Sequence, residues 1–386
     1  NIQANIAGGF GSTFAFTGAP GTAPLPLFLA HFQGLTPANA SNPANYTSTQ
    51  FTNTTWVNAL NPFNPNPQSI ATNLWTGVDA GGVSWKSRAI DSGIYPANFW
   101  VLNPAVNQAN VTRNLGSSRY NALQFDLRRR FSKGLAAQAS YTYARGVQFS
   151  NVDLHLGLLE QRNAGTIPHA IKMLWTWDLP VGRGRRFGTN MNKWVDGALG
   201  GWQFSGNGRI QVPLFRLQNT LLVGMTQSEA QDLFKSIRID TVGTTTVWSM
   251  PKDIVDNTIK AYSTNAGTAG FYSAGAPTGR YFAPASRPAG VYSGEFAGAC
   301  TGLFSGDCAP DMFFYGKWFG EFDVKLLKKF QLPGRAVFEF DVEVFNVFKG
   351  VNFNQNLNPG SGSTIFQTTA AGSNARTGQL VWRVTW

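Results

Sequence analysis

Apolar and polar residues alternate with a period of two through seven segments of the chain. The alternation is cleanest where two segments flank a tight turn. Leu123, Phe125, Leu127 and Phe131 are apolar, with Gln124, Asp126, Arg128 and Arg130 between them. After Ser132-Lys133-Gly134 the odd positions resume as Leu135, Ala137, Ala139, Tyr141 and Tyr143, interleaved with Ala136, Gln138, Ser140 and Thr142. The pattern returns at Ile171, Met173, Trp175 and Trp177, broken by Leu174, and at Trp202, Phe204, Ile210 and Val212. It continues through Phe322, Val324, Leu326 and Phe330, through Phe338, Phe340, Val342 and Val344, and through Leu380, Trp382, Val384 and Trp386. A strict period of two predicts strands with one wet and one apolar face. The predicted strands cover 118–131, 135–146, 168–180, 199–212, 317–330, 335–348 and 378–386.

These strands run about 10 to 14 residues, against the 5 or 6 usual in globular sheets. Their connections alternate between tight (132–134, 331–334) and long (147–167, 213–316, 349–377). The medium connection 181–198 falls on the tight side and fits that scheme least well. Long strands, short turns at one rim and long loops at the other predict an all-β fold, an antiparallel transmembrane β-barrel of the outer-membrane kind. A soluble β-sandwich is the alternative. With the short turns periplasmic, the chain ends in the periplasm only if 213–316 adds an even number of wall strands. In lipid an open sheet edge leaves backbone groups unsatisfied, so the wall must close. The apolar face then meets outer-membrane lipid. Tyr141, Tyr143, Trp175 and Trp177 are the candidate aromatic girdle.

Two regions stand outside the wall as long extracellular loops, 17–117 and 213–316; the barrel strands occupy 118–212 and 317–386. The first is rich in Pro and Asn, as in "TPANASNPANY" and "NPFNPNPQ", which favour turns over ladders; its aromatics would order it. In the second, Thr226 and Glu229 form a capping box, followed by Ala230, Leu233, Phe234 and Ile237 at helical spacing. A short loop helix is expected over 225–238, and a weaker one over 251–263.

Composition narrows the class. Charged residues make up 13% of the chain, against about 25% in soluble domains, and aromatics another 13%. No run approaches the length of a transmembrane helix. The excess of 31 basic over 20 acidic residues gives +11, but the basic residues are scattered and form no stripe interleaved with aromatics. Nucleic acid is therefore not an expected partner; anionic lipid headgroups explain the sign better. Cys300 and Cys308, in "CTGLFSGDC", read as a disulfide closing a small loop, with half a metal site as the rival. The opening "NIQANIAGGF" has no initiator Met and no leader pattern, as expected of a processed protein or a fragment.

Catalytic signals are sparse. Glu339, Asp341 and Glu343 share one strand face and invite a paired-carboxylate reading. Asp323 and Lys325 on the neighbouring strand make a lumenal ion-pair ladder the better one. "VGRGRRFG" lacks the ending of a phosphate loop, and no nucleophile elbow or zinc-protease motif occurs. His169 reads as a rim residue. Neither enzyme activity, a cofactor nor a metal is expected.

"SSRYNALQFDLRRRFSKGLAAQASYTYARG", "IPHAIKMLWTWDLPVGRGRRFG" and "FGEFDVKLLKKFQLPGRAVFEFDVEVFNVFKGVNF" resemble the barrel region of Oar-like TonB-dependent receptors, which often carry an N-terminal carboxypeptidase-regulatory-like domain. "LVGMTQSEAQDLFKSIRI" and "GRYFAPAS" are similar to that family too. The closing "LVWRVTW" is similar to the terminal signal read by the barrel-assembly machinery, with Leu380, Trp382, Val384 and Trp386 as its apolar positions. The resemblance implies a barrel of about 22 strands, an internal plug, a TonB box and energised uptake of a bulky ligand. Plug, TonB box and regulatory-like domain are not found in these residues, so the chain is expected to be the C-terminal barrel portion, reaching TonB only through the missing part. A second expectation is structural: a truncated or cleaved barrel serving an adhesive surface assembly, with copies or a partner at its open strand edges.

Overall fold

The computed structural model describes the chain except residues 62–66, 80, 97, 100–113, 115, 154–157, 164–165, 218–219, 236–237, 241–245, 285–311, 352–365 and 369–374. Short helices come first: α1 (Ile2–Ala7), α2 (Pro26–Gln33), α3 (Thr54–Ala59), α4 (Pro67–Thr76) and α5 (Trp85–Asp91). The first wall strands follow: β1 (Ser117–Ser132), β2 (Leu135–Asp153), β3 (Leu158–Asn163), β4 (His169–Asp178), then helix α6 (Lys193–Leu199) and β5 (Trp202–Gln211). The 213–316 region holds β6 (Leu214–Leu217), β7 (Thr220–Val223), α7 (Gln227–Phe234), β8 (Arg238–Asp240), β9 (Thr246–Trp248), α8 (Lys252–Tyr262), β10 (Tyr281–Pro284) and β11 (Met312–Tyr315). The last elements are β12 (Phe319–Gln331), β13 (Val337–Phe345), β14 (Gln367–Thr368) and β15 (Thr377–Thr385).

The wall is one antiparallel sheet in the order β1-β2-β4-β5-β12-β13-β15, with β3 pairing the far end of β2. All seven predicted strands are present. β5 pairs directly with β12, so 213–316 adds no strand to the wall among the described residues. The required parity holds. Two expectations need correction. The fourth strand starts at Trp202 rather than 199, because α6 occupies 193–199. The 147–167 connection is partly ladder, since β2 runs on to Asp153 and pairs with β3.

Register decides the faces. Leu135, Trp177, Phe204, Leu326, Val342 and Leu380 lie on one rung across six strands. The next rung, Thr176, Ser205, Lys325, Glu343 and Gln379, is polar across five strands and ends on the small Ala136 of β2. A slip of one residue in any pair would bring these sets onto one face, so the side-chain alternation pins the ladder. On the apolar face Phe322 lies across Gly208, where a Cβ would come within 2.4 Å of its ring. The β1–β2 turn is two residues long. Lys133 (φ 53°) and Gly134 (φ 80°) are both left-handed, the conformation whose twist matches paired strands.

At the long-loop rim two clusters form their own cores. One gathers Phe14, Phe32, Phe51, Trp56 and Trp85 from the first 91 residues. The Phe32 ring lies 5.2 Å from that of Trp56, 5.3 Å from Phe51 and 5.4 Å from Trp85. The expected ordering by aromatics is therefore realised, through helices that the Pro-rich sequence did not announce. The other packs α7 and α8 against Leu217, Leu222, Phe282, Met312 and Phe314, with Phe366 reaching in from the 349–377 loop. Both expected loop helices are present, α7 with its full capping box between Thr226 and Glu229; α7 is shorter than expected, ending at Phe234, with Ile237 outside the described residues and Arg238 opening β8. The clusters are tied together. The Gln3 side chain donates to Thr268 O (2.8 Å) and accepts from Gly270 N (2.9 Å), and Ala266 is buried in the aromatic core.

Candidate functional site

The polar face of the wall carries an ion-pair ladder where β12, β13 and β15 meet. Lys325 Nζ lies 2.5 Å from Asp341 Oδ2 and 3.2 Å from Glu343 Oε1. Lys329 lies 3.1 Å from Glu339, whose other oxygen is 3.6 Å from Arg383. Gln379 donates to Glu343. Asp341 is the buried member, its side chain 2% exposed, and its Oδ1 makes no hydrogen bond. Each carboxylate thus meets at least one cation, which the buried Asp341 in particular requires. One expected member is misplaced. Asp323 stands one step beyond the ladder and accepts a hydrogen bond from Asn346 N at 2.9 Å, closing the end of β13 instead.

The four girdle candidates share the apolar face but divide between its ends. Tyr143 pairs with His169 near the long-loop rim, while Trp177 pairs with Leu135 beside the short turn. About 26 Å of strand separates those rungs; at a barrel tilt of about 40° this spans roughly 20 Å along the membrane normal, somewhat short of the apolar band of about 25 Å. His169 is a rim residue as expected. Its Nδ1 lies 2.8 Å from Tyr141 Oη, and Trp318 packs 5.9 Å away. Leu380, Trp382 and Val384 lie exposed on the apolar face of β15, and Trp386 follows it, 92% exposed. Cys300 and Cys308 fall outside the described residues. Among the described residues no three His, Cys, Asp or Glu side chains gather as a metal site.

A cleft of about 610 Å³ opens where the wall meets the second loop cluster, lined by Tyr143, His169, Gln231, Lys235, Lys317 and Trp318. Its size suits a small ligand. Gln231 holds its roof in place, accepting from Tyr315 N (2.7 Å) and donating to Tyr315 O (2.8 Å). Sequence reading missed this site because its lining residues come from separate stretches of the chain. Only Tyr143 and His169 drew notice, for other reasons.

A long-stranded antiparallel wall, with one mainly apolar face, a paired polar face and capped loops at one rim, defines a membrane-barrel architecture. Residues 28–379 match the family model described as "Outer membrane beta barrel domain". The chain belongs to that family, and its place is the bacterial outer membrane. No curated protein and no solved structure matches the chain.

Proposed function

We propose that the chain is the C-terminal wall and surface-loop portion of a TonB-dependent receptor taking up a bulky ligand across the outer membrane. The observation carrying this reading is the pair of interlocked loop clusters standing over a polar-faced wall. A simple scaffold does not require loops with their own aromatic cores. In this reading the long-loop rim is extracellular, the loop clusters capture ligand, and the ladder face lines the passage. The role is transport without chemical conversion of the ligand. Among the described residues β1 and β15 pair on one side only, and lipid requires such edges to be closed. Further strands of a larger barrel would close them. Leu380, Trp382, Val384 and Trp386 would be read by the barrel-assembly machinery. The test compares solute depletion by a strain lacking this gene with that by a strain lacking TonB. The same solutes should remain unconsumed by both. A solute that the first strain leaves and the TonB-less strain consumes would end the proposal.

The edge strand β1, exposed along its whole length and paired on one side only, favours a second reading, a barrel-derived component of an adhesive surface assembly. Intact mass separates the two. A protein from native outer membranes well above 41.9 kDa supports the receptor; one near that mass supports the assembly component.

A further inference from the structure

The connection between β4 and β5 (residues 179–201) is far more elaborate than a turn needs to be. Val181 bridges to Phe187, Asp196 Oδ1 accepts from Arg183 N at 2.7 Å, and Asn192 caps α6 through Trp194 N and Val195 N. Its sequence sets four basic side chains, Arg183, Arg185, Arg186 and Lys193, against one carboxylate, Asp196. The four cations are exposed. Trp194, Val195, Ala198 and Leu199 form one stripe of α6, yet Trp194 is 88% exposed and Leu199 55%. Phe187 is exposed as well. A soluble protein would not leave such a stripe bare beside a basic cluster.

The position of α6 resolves this. Trp202 stands on the apolar face of β5, and its Nε1 donates to Ala198 O at 2.9 Å. Lys328 breaks the apolar pattern of β12, and its buried Nζ donates to Gly200 O at 2.6 Å. That ammonium also lies 5.4 Å from the Trp202 ring and 5.1 Å from that of Phe330. An apolar-face lysine that turns toward the rim and fastens its charge to main-chain carbonyls is a snorkelling anchor. These bonds hold the C-terminal end of α6 on the lipid side of the wall, at the short-turn rim. There an apolar stripe enters the acyl boundary while arginines meet headgroups.

We infer that residues 181–201 form an interfacial lipid-binding element whose cations take the phosphate groups of anionic phospholipids in the leaflet at the short-turn rim. Naming that leaflet periplasmic rests on the orientation proposed above; the binding itself does not. The charge chooses the lipid, because four cations with a single acid gain little from a zwitterionic surface and much from an anionic one.

The test uses the protein extracted from outer membranes and placed in nanodiscs of phosphatidylcholine, alone or mixed with phosphatidylglycerol. Trypsin cleavage after Arg183, Arg185 and Arg186 is timed against cleavage after Lys133 and Arg335, which lie in the other two turns of the same rim. Phosphatidylglycerol should slow the first set about tenfold and leave the second unchanged. Trp194→Ala with Leu199→Ala should return the first set toward its phosphatidylcholine rate. Equal rates in the two lipids, equal protection of all three turns, or full protection of the double variant would each overturn the inference. Trypsin applied to intact cells tests orientation separately. Cleavage at Arg185 there would reverse the assigned leaflet and leave the nanodisc result standing.

Discussion

Met173 and Leu174 are neighbours on β4, both apolar, and they point to opposite faces of the wall. Met173 lies on the rung of Ala139, Gly208 and Phe322, between the tyrosine and tryptophan ends of the apolar face. Leu174 is the residue that breaks the alternation; it faces the polar side and is 60% exposed. Arginine at a lipid-facing midplane position costs about 2–4 kcal/mol, and close to 0–1 kcal/mol near the interface. Met173→Arg should therefore lower the folding equilibrium constant by roughly thirty- to a thousandfold, at about 1.4 kcal/mol per factor of ten. Leu174→Arg should change it little, because its charge enters a wet lumen. Tyr143→Arg, on the same apolar face but at the rim, should fall near the small value. The assay is equilibrium unfolding by guanidinium from lipid vesicles, followed by tryptophan fluorescence, with the three variants read against the parent. Equal losses at Met173 and Leu174 would refute the assignment of faces. Equal losses at Met173 and Tyr143 would indicate a uniformly dry core, as in a soluble sandwich, rather than a bilayer with depth.

Three further outcomes follow from particular contacts. Lys325→Met leaves the buried Asp341 carboxylate without its counter-ion and should cost about 3 kcal/mol; adding Asp341→Leu should recover most of that in the same unfolding assay. Thr226→Ala removes the capping box of α7 and should destabilise that helix by about 1 kcal/mol, seen as faster amide exchange over 227–234 with the wall strands unchanged. His31 lies buried with Nε2 2.7 Å from Leu74 O. Burial holds its pKa below the ordinary 6.5, a shift opposed by the bond to the Leu74 carbonyl. The unfolded form then binds the proton more readily. The stability of the aromatic cluster should be complete above pH 6.5 and decline as pH falls below it. Near-ultraviolet dichroism at pH 7.5 and 5 would detect this, and His31→Gln should flatten the response.

How much of this was legible depends on the range over which each signal acts. Period-two alternation is local, so the seven wall strands emerged with their faces, and only ends such as residues 199–201 were misplaced. The capping box of α7 is four residues wide and was equally readable. The N-terminal cluster is different. Phe14, Phe32, Phe51, Trp56 and Trp85 share no period and meet only by packing. A local clue was nevertheless present, since Pro26 opens α2 and Gly34 closes it in the left-handed conformation, the usual asymmetry of helix ends. In the ladder, the residue types were visible and the partners were not, because pairing depends on a register the sequence does not print. Asp323, read as a ladder member, accepts from Asn346 N instead, and Lys329, not read as one, meets Glu339.

Lys328 shows why exceptions to a pattern carry more information than its fulfilment. By parity it belongs to the apolar face, where an unpaired ammonium in lipid would cost several kcal/mol. Read along the strand alone, it looks like an error of register. The register is secured on both sides, by Trp202 on β5 and by Phe340 on β13, so the charge has to be satisfied where it stands. The carbonyl of Gly200 does this, and it can do so only because the β4–β5 connection is long enough to fold back over the rim. The awkward length of that connection and the misplaced lysine on β12 are therefore one feature, divided between two distant parts of the chain.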